Sequence, residues 1–400
     1  MAADAQLVTG GDTIELQQQV ARLQALLEAS RQVHGTIREE AVLESVLRIV
    51  VRELEMAGAA FPGTGLIYGE MPDDPGGGAS QTATNGVRDS HGSSEILTYS
   101  LADRDGKTMT ELVVAAPGGR ELTLSEADFL EGLVLQAAVA LENARNHKRN
   151  VEFARMQQEL DAARDIQRSL LPHTLPEIPG YSIAFRSDAC YEVAGDYLDI
   201  VEQPDGSLLM AVADVAGKGL ASAITSLSFR AAFRGIAATG MPLGELATRM
   251  NQHHWAEGEE VRRRYVTAIF MRLHPGLGEL EVVNAGHNPG FLVAPGAPPR
   301  QFEASGTPLG MLQGMTYASE NRTIPPGARL LFYTDGLTEV FKGDEEFGPE
   351  RLLNEFSTCP LNNADGILDA LWTAIQAFAE GGPQADDMTA LALCRGEIPA

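Results

Sequence analysis

Cysteine is scarce in this chain of 400 residues. Its three cysteines, Cys190, Cys359 and Cys394, are odd in number and far apart, so they predict neither a disulfide framework nor a zinc-binding pattern. The sequence also lacks a signal peptide and a run of about 18 apolar residues that would span a membrane. We therefore expect a cytoplasmic protein that makes no contact with a membrane.

Basic residues are also few. The chain has 30 Lys and Arg against 55 Asp and Glu, which gives a formal net charge of −25. Because a phosphate backbone or an anionic lipid surface repels such a protein, the composition argues against nucleic acid and membrane as partners. The hydrophobic fraction of 44% is sufficient for packed cores, and the length predicts two or three domains.

Four acidic motifs lie in the C-terminal half, and three of them adjoin short apolar runs that are typical of buried strands. A single Asp of this kind is usually a turn or helix-cap residue, so the inference depends on all four. A carboxylate beside a buried strand is costly unless it is paired, hydrogen-bonded or metal-bound. Since oxygen ligands suit Mg²⁺ or Mn²⁺, the motifs predict a site for hard divalent cations at the sheet ends. The motifs are Gly195–Asp199, Ala213–Gly217, Thr334–Gly336 and Asp386–Thr389, and the runs are Leu208–Ala213, Leu330–Tyr333 and Met388–Leu393.

Six motifs in a fixed order resemble the metal-dependent, protein phosphatase 2C-like (PPM) family. The resemblance is greatest to its bacterial branch, the sporulation and sigma-factor-regulating phosphatases, and covers residues 160–396. It implies an αββα sandwich, in which two antiparallel sheets are flanked by helices, with a two-metal site at one end. The motifs are Glu192–Asp199, Asp214–Ala223, Asn284–Pro289, Gly306–Gly310, Tyr333–Glu339 and Asp386–Thr389, preceded by Ala163–Pro172.

The resemblance also implies a ligand set for two divalent cations, Mn²⁺ or Mg²⁺. Asp214 is expected to bridge the two ions, and Val215 to contribute its backbone carbonyl. Asp196 is expected to complete the coordination of one ion, while Asp335 and Asp386 hold the other. Catalysis would then depend on Asp214 and Asp335 through the water that the ions bind.

Five further features of these motifs bear on the site. Asp387 stands where many relatives carry Asn, so we expect it to support a ligand, and Asp199 is a less certain ligand. Lys218 replaces the His that is usual in the family, which would alter the electrostatics at the substrate. His287 is either a catalytic acid or, more in keeping with its Gly-His-Asn-Pro turn, a turn-organising residue. Gly306–Gly310 lacks the ending of a nucleotide P-loop and is interpreted as a structural turn.

The predicted site indicates phosphoester hydrolysis. Two divalent ions about 3.5–4 Å apart activate a water and neutralise charge on the phosphoryl oxygens, so no side-chain nucleophile is required. By resemblance, the expected function is a protein Ser/Thr phosphatase that acts on a phosphorylated anti-anti-sigma factor in a partner-switching pathway. Two alternatives stay open, namely a catalytically silent binding module with a phosphatase fold and a metal-dependent phosphohydrolase of a small molecule.

The N-terminal half has a different character. Within residues 1–36, Leu16, Val20, Leu23 and Leu27 follow the a/d spacing of a coiled coil. An ordinary amphipathic helix that packs on its own domain explains the same spacing equally well.

Residues 37–146 resemble a GAF sensory domain, an α/β fold that often binds a small-molecule ligand. The segment begins with an amphipathic helix and ends with a helix that starts at a Thr-x-x-Glu capping box. Three runs between these helices have the composition of strands. The first helix is Ala41–Leu54, the runs are Thr64–Tyr68, Glu95–Leu101 and Thr110–Ala115, and the last helix starts at Thr123–Glu126 and reaches Ala144.

Residues 147–172 are predicted to be a helical linker to a phosphatase domain over residues 173–396. Apolar residues keep helical spacing as far as Leu170, so the last GAF-like helix is expected to continue to Leu171-Pro172. In a parallel homodimer, such a helix would carry a change in the sensor to the Asp214 region. A passive spacer is the alternative.

Overall fold

The computed structural model describes Val20 and residues 24–71, 96–172 and 174–396. The chain divides into two compact units, Met1–Met156 and Gln157–Ala400. The division falls inside one long helix, α3, which spans Leu124–Leu170. The four predicted domain limits remain predictions. Within the described part of the chain, no helix combines the length and apolar character that crossing a membrane requires.

The N-terminal unit contains one antiparallel sheet of four strands in the order β2-β1-β4-β3. The apolar faces of α2 and the first part of α3 contribute to the core of this unit, together with side chains from all four strands. Its elements are α1 (residues 24–34), α2 (Glu39–Glu53), β1 (Gly58–Phe61), β2 (Leu66–Gly69), β3 (Ile96–Ala102), β4 (Thr108–Ala115), a 3-10 turn (Pro117–Gly119) and the start of α3.

The capping box that the sequence predicts is present at the start of α3. The backbone N–H of Glu126 donates to the Thr123 hydroxyl at 3.3 Å, and the Thr123 N–H donates to the Glu126 carboxylate at 2.8 Å. These bonds satisfy two donors that a helix start otherwise leaves unpaired. The helix then runs unbroken to Leu170, two residues before Pro172, as the apolar spacing predicted.

Helix α1 packs on its own unit. Ala29 and Val33 are buried in the core and Leu26 lies against it, whereas 63% of Leu27 is exposed. The buried face of α1 is therefore different from the face that carries Leu27 and the predicted heptad spacing. Leu16 and Leu23, which belong to that spacing, lie outside the described residues, so a coiled coil stays a prediction.

Strand β1, Gly58–Phe61, was missed by the sequence analysis. All four residues are buried, and a strand that is buried throughout has no alternation of polar and apolar residues to reveal it. The run predicted at Thr64–Tyr68 begins two residues too early. Thr64 and Gly65 belong instead to the turn after β1, where the Thr64 N–H donates to the Phe61 carbonyl.

The C-terminal unit contains two antiparallel sheets of five strands. One has the order β11-β10-β13-β16-β5 and the other β12-β9-β8-β7-β6. The strands are β5 (Tyr181–Asp188), β6 (Tyr197–Glu202), β7 (Leu208–Val215), β8 (Val266–His274), β9 (Glu279–Ala285), β10 (Gly290–Val293), β11 (Arg300–Phe302), β12 (Glu320–Thr323), β13 (Arg329–Tyr333), the hairpin pair β14 (Phe341–Lys342) and β15 (Glu345–Glu346), and β16 (Met388–Arg395).

These two sheets pack face to face and helices cover their outer faces. Side chains from β6, β7 and β8 share one apolar core with side chains from β13 and β16. Helices α4 and α5 cover the outer face of one sheet, and α7 and α8 cover that of the other. The resulting αββα sandwich confirms the predicted fold class. The helices are α4 (Leu220–Ala237), α5 (Leu243–Ala256), α6 (Glu259–Arg262), α7 (Gly348–Thr358) and α8 (Ala364–Ala379), with a 3-10 turn at Asp335–Leu337.

Candidate metal centre

The predicted ligands come from both sheets. Asp196 directly precedes β6 and Asp214 lies near the end of β7, and these two strands pair with Tyr197 opposite Ala213. In the other sheet, Asp335 follows β13 and Asp386 precedes β16, and these strands also pair. The fold therefore brings all four carboxylates to one end of the sandwich.

Asp214 is the electrostatic centre of this group. Burial, followed by the negative charges of Asp335, Asp386, Asp387 and Glu339, raises the pKa of Asp214 to about 7. A carboxyl group responds in this way when it is withdrawn from water and surrounded by other carboxylates. A divalent cation among these groups would remove the repulsion.

Asp196 is buried, and its pKa is raised well above the usual range by that burial and by the charges of Asp214 and Asp387. Hydrogen bonds from the side chains of Thr389 and Thr334 oppose this shift. The Thr334 hydroxyl donates to Asp196 Oδ2 at 2.7 Å and accepts the Thr389 N–H at 3.0 Å. Thr334 thus fixes the orientation of the Asp196 carboxylate from the opposite sheet.

Asp387 holds the loop that carries Asp196. Its Oδ1 accepts the backbone N–H of Cys190 and its Oδ2 accepts the backbone N–H of Gly195, both at 2.7 Å. Gly195 also lies against the Val215 carbonyl, since a Cβ at this position would come within 3.3 Å of that oxygen. This arrangement agrees with a supporting role for Asp387.

The donor set fits a hard divalent cation in its chemistry. It consists of carboxylates that repel one another, and such groups are stabilised by Mg²⁺ or Mn²⁺. Among the residues that the structure describes, however, no three Asp, Glu, His or Cys side chains converge at metal-ligand geometry. Two of the candidate ligands make other polar contacts: Asp196 is bonded to Thr334, and Asp386 is paired with Lys218 at 2.8 Å.

Asp199 has a different role from the ligand role that the sequence left open. Arg234 binds both of its oxygens, with Nε to Oδ2 at 2.6 Å and Nη2 to Oδ1 at 2.7 Å. The Tyr197 hydroxyl also donates to Oδ2 at 2.7 Å. Because Arg234 belongs to α4, this group fastens α4 to β6 behind the site.

His287 is a buried turn residue. Burial lowers its pKa to about 4, so the ring is neutral near pH 7. Nδ1 lies 2.8 Å from the Thr267 hydroxyl, and Thr267 pairs with Asp214 across β7 and β8. The His287 N–H donates to the Asn284 side chain at 2.7 Å. These contacts favour the turn-organising interpretation over a catalytic acid.

The Gly306–Gly310 segment is also structural. The Gly310 N–H donates to the Asn251 side chain at 2.8 Å, and the backbones of Leu309 and Val266 bond to each other. With its backbone bound to neighbouring elements, the segment has the character of the structural turn that the sequence indicated.

The sequence analysis missed a contact between the end of α3 and the loop before Asp196. The Gln167 side-chain amide donates to the Ala194 carbonyl at 2.7 Å, and its carbonyl oxygen accepts the Ala194 N–H at 2.9 Å. Arg164 Nε adds a bond of 2.7 Å to the Glu192 carbonyl. This part of α3, which lies within the C-terminal unit, therefore holds the loop that leads into Asp196.

Replacing Thr334 by Val is expected to weaken Mn²⁺ binding about tenfold, because Asp196 loses a hydrogen bond to its charged form. The hydroxyl lowers the pKa of Asp196 against the effect of burial, so its loss raises that pKa further. Protons then compete with the cation more strongly as the pH falls, and the weakening should be larger near pH 6 than near pH 8. Titration calorimetry at both pH values measures the Mn²⁺ affinity of the variant and of the wild type.

Thr334→Ser keeps the hydroxyl and is the matched control for this substitution. Its Mn²⁺ affinity should stay near that of the wild type at both pH values. Equal affinities for the Val and Ser variants would contradict a role for the hydroxyl at Asp196.

Comparison with known families links this geometry to one of them. The family model of Stage II sporulation protein E (SpoIIE) matches residues 204–396. Protein IcfG of Synechocystis sp. is 26% identical over 262 residues, which cover 59% of this chain and 41% of that protein. Phosphoserine phosphatase RsbP of Bacillus subtilis is 26% identical over 234 residues, which cover 57% of this chain and 56% of that protein. The chain thus spans about half the length of these relatives.

A solved structure shows the same fold. The SiaA-PP2C domain of Pseudomonas aeruginosa superposes with a TM-score of 0.52 at 21% identity, over 61% of this chain and 98% of that domain. The matched residues, the two packed sheets and the carboxylates at their common end agree with one another. The C-terminal unit therefore has the fold of a PP2C-type domain, and residues 204–396 within it are similar to the SpoIIE family.

Proposed function

We propose that this protein is a metal-dependent protein serine/threonine phosphatase. The observation that carries the proposal is the group of mutually repelling carboxylates that both sheets deliver to one end of the sandwich. Such a group costs free energy without a cation, and neither a stable fold nor a simple binding surface requires it. The similarity to a phosphoserine phosphatase and to the SpoIIE family supports the same activity.

The residues have distinct roles in the proposed site. Asp196, Asp214 and the Val215 carbonyl would hold one divalent cation, and Asp214 with Asp335 and Asp386 would hold the other. When bound, such ions activate water and neutralise charge on a phosphoryl group.

Neighbouring side chains orient these ligands. Thr334 orients the Asp196 carboxylate, while Asp387 fixes the loop before it through two backbone N–H groups. Arg234 and Asp199 hold the helix after the Asp214 loop against β6. The protein thereby fixes its ligands through hydrogen bonds rather than leaving them on free loops.

Hydrolysis by the full chain tests the activity directly. Turnover of p-nitrophenyl phosphate and a phosphoserine peptide would be measured while Mn²⁺ or Mg²⁺ is titrated against EDTA. We expect turnover that EDTA abolishes and added cation restores. Turnover of small phosphate esters without any phosphopeptide hydrolysis would favour a small-molecule phosphohydrolase. Silence on a panel that includes a phosphorylated anti-anti-sigma factor would favour a binding module.

The substrate and the regulation are further parts of the proposal. By family resemblance, the substrate is a phosphorylated anti-anti-sigma factor, and the N-terminal unit is a GAF-like domain that binds a small-molecule ligand. Helix α3 supports the regulation, since it begins in the N-terminal unit and ends at the Gln167 contact with Ala194. A homodimer through α3 is part of the same proposal, and the apolar side chains of Phe153 and Met156 are exposed on that helix.

Replacing Gln167 by Ala is expected to lower phosphopeptide turnover about tenfold, because the Ala194 N–H and carbonyl lose their partners two residues before Asp196. The apparent affinity for Mn²⁺ should fall as well, since Asp196 is less well placed. Gln158→Ala removes the same side chain from an exposed position of the same helix and should behave as the wild type. Equal activities of the two variants would count against this coupling.

A further inference from the structure

Lys218 lies in a loop whose backbone directs it toward the opposite sheet. The residues on either side, Gly217 and Gly219, have φ angles of 101° and 79°, in the region that side chains other than glycine rarely adopt. The loop joins the end of β7, with Asp214 and Val215, to the start of α4. A two-glycine loop therefore sets the position of one cationic side chain beside the candidate ligands.

The ammonium group of Lys218 contacts the segment before β16. Nζ lies 2.8 Å from Asp386 Oδ2 and donates to the Ala385 carbonyl at 2.7 Å. The Lys218 side chain is 47% exposed and Asp386 is 27% exposed. The pair therefore lies at the solvent-exposed edge of the site. The Lys218 side chain can rotate into water there without a change in the backbone.

The same ammonium acts on neighbouring carboxylates. It places a positive charge against Asp386, which with Asp335 is proposed to hold one of the two cations. The Lys218 ammonium thus supplies part of the positive charge that a bound ion would supply. It does so on the Asp335–Asp386 side, whereas Asp196 has no such cation in contact among the described residues and accepts a hydrogen bond from the Thr334 hydroxyl.

We propose that Lys218 is a built-in competitor for the divalent cation at Asp335 and Asp386, and that it must leave Asp386 before a cation binds there. This inference rests on the metal site of the proposed function. Its consequence is that the two cation sites differ in affinity, with the Asp335–Asp386 site weaker because binding there must break an existing ion pair. An exposed pair of this kind is weak, so the competition lowers affinity without preventing binding.

Cation binding to Lys218→Met tests this inference in the full chain without any substrate. Titration calorimetry and the electron paramagnetic resonance signal of free Mn²⁺ resolve strong and weak sites. We expect the weaker site to tighten about three- to tenfold and the stronger site to change less than about twofold. Lys218→Arg, which keeps the charge and the pairing, should bind as the wild type does. Lys218→Gln serves as a second neutral variant if the Met variant does not fold.

Lys342 provides the matched control. Its side chain is also 47% exposed and also pairs with a carboxylate, that of Glu380. Lys342→Met makes the same change of charge and should leave both affinities unchanged. Equal tightening of both sites, the same effect from Lys342→Met, no effect from Lys218→Met, or no Mn²⁺ binding at all would overturn the inference. Because the readout is binding, a failure to hydrolyse phosphopeptides would contradict the proposed function and leave this result standing.

Discussion

Replacing Asp214 by Asn is expected to lower metal-dependent turnover of a phosphoserine peptide about 1000-fold, a loss of about 4 kcal/mol of transition-state stabilisation. Asp214 is the residue on which the charges of the other carboxylates converge, and in the proposed site it is the ligand that the two cations share. Turnover at saturating Mn²⁺, compared between the variant and the wild type, measures the loss. Asp344→Asn, in an exposed turn, should have no effect.

The same variant should unfold less readily in the absence of metal. The pKa of Asp214 is raised to about 7 in the folded protein, against about 3.9 for an unfolded Asp. Its contribution to stability is therefore complete below about pH 4 and lost as the pH rises through about 7, whereas Asn cannot ionise. An inactive variant that is more stable than the wild type at pH 8 would exclude misfolding as the cause. Full activity of Asp214→Asn would refute the proposed site.

Replacing Arg234 by Met is expected to destabilise the C-terminal unit by about 3 kcal/mol, because it leaves the buried Asp199 carboxylate without its cation. Both tryptophans of the chain, Trp255 and Trp372, lie in this unit. Tryptophan fluorescence during urea unfolding therefore reports on the C-terminal unit, whichever unit unfolds first.

Replacing the other partner of the pair should lower the free energy of unfolding by less. Asp199→Asn leaves Arg234 unpaired, but 44% of that side chain is exposed and water can solvate it, whereas Asp199 is fully buried. The double variant Asp199→Asn/Arg234→Met should be more stable than Arg234→Met alone, since no buried charge is left. Equal losses of stability in the two single variants would contradict the expected cost of leaving the buried Asp199 carboxylate unpaired.

The sandwich and its acidic end could be predicted because each of the four carboxylates lies within a strand or within two residues of one. Leu208–Ala213 leads into Asp214, and Met388–Leu393 follows Asp386. A few consecutive residues therefore predict both the strand and the position of the carboxylate. Antiparallel pairing of β6 with β7 then brings Asp196 near Asp214, and pairing of β13 with β16 brings Asp335 near Asp386.

Contacts between distant segments could not be predicted. Thr334 follows Asp196 by 138 residues and Gln167 is 27 residues from Ala194, so neither pair forms a local pattern. Asp199 shows the same limit. The resemblance left it open as a less certain ligand, but Arg234 of α4 binds both of its oxygens.

Helix α3 also constrains how such a chain can be assembled from modules during evolution. Leu124–Leu170 contains no proline and a single glycine, Gly132, so it offers no break at which a change of phase is absorbed. Each residue inserted into it turns the helix residues that follow by about 100° around the helix axis and advances them by about 1.5 Å. Seven residues restore the original facing to within about 20°. An insertion of seven residues within α3 would therefore leave Gln167 facing nearly the same way relative to the helix residues before the insertion.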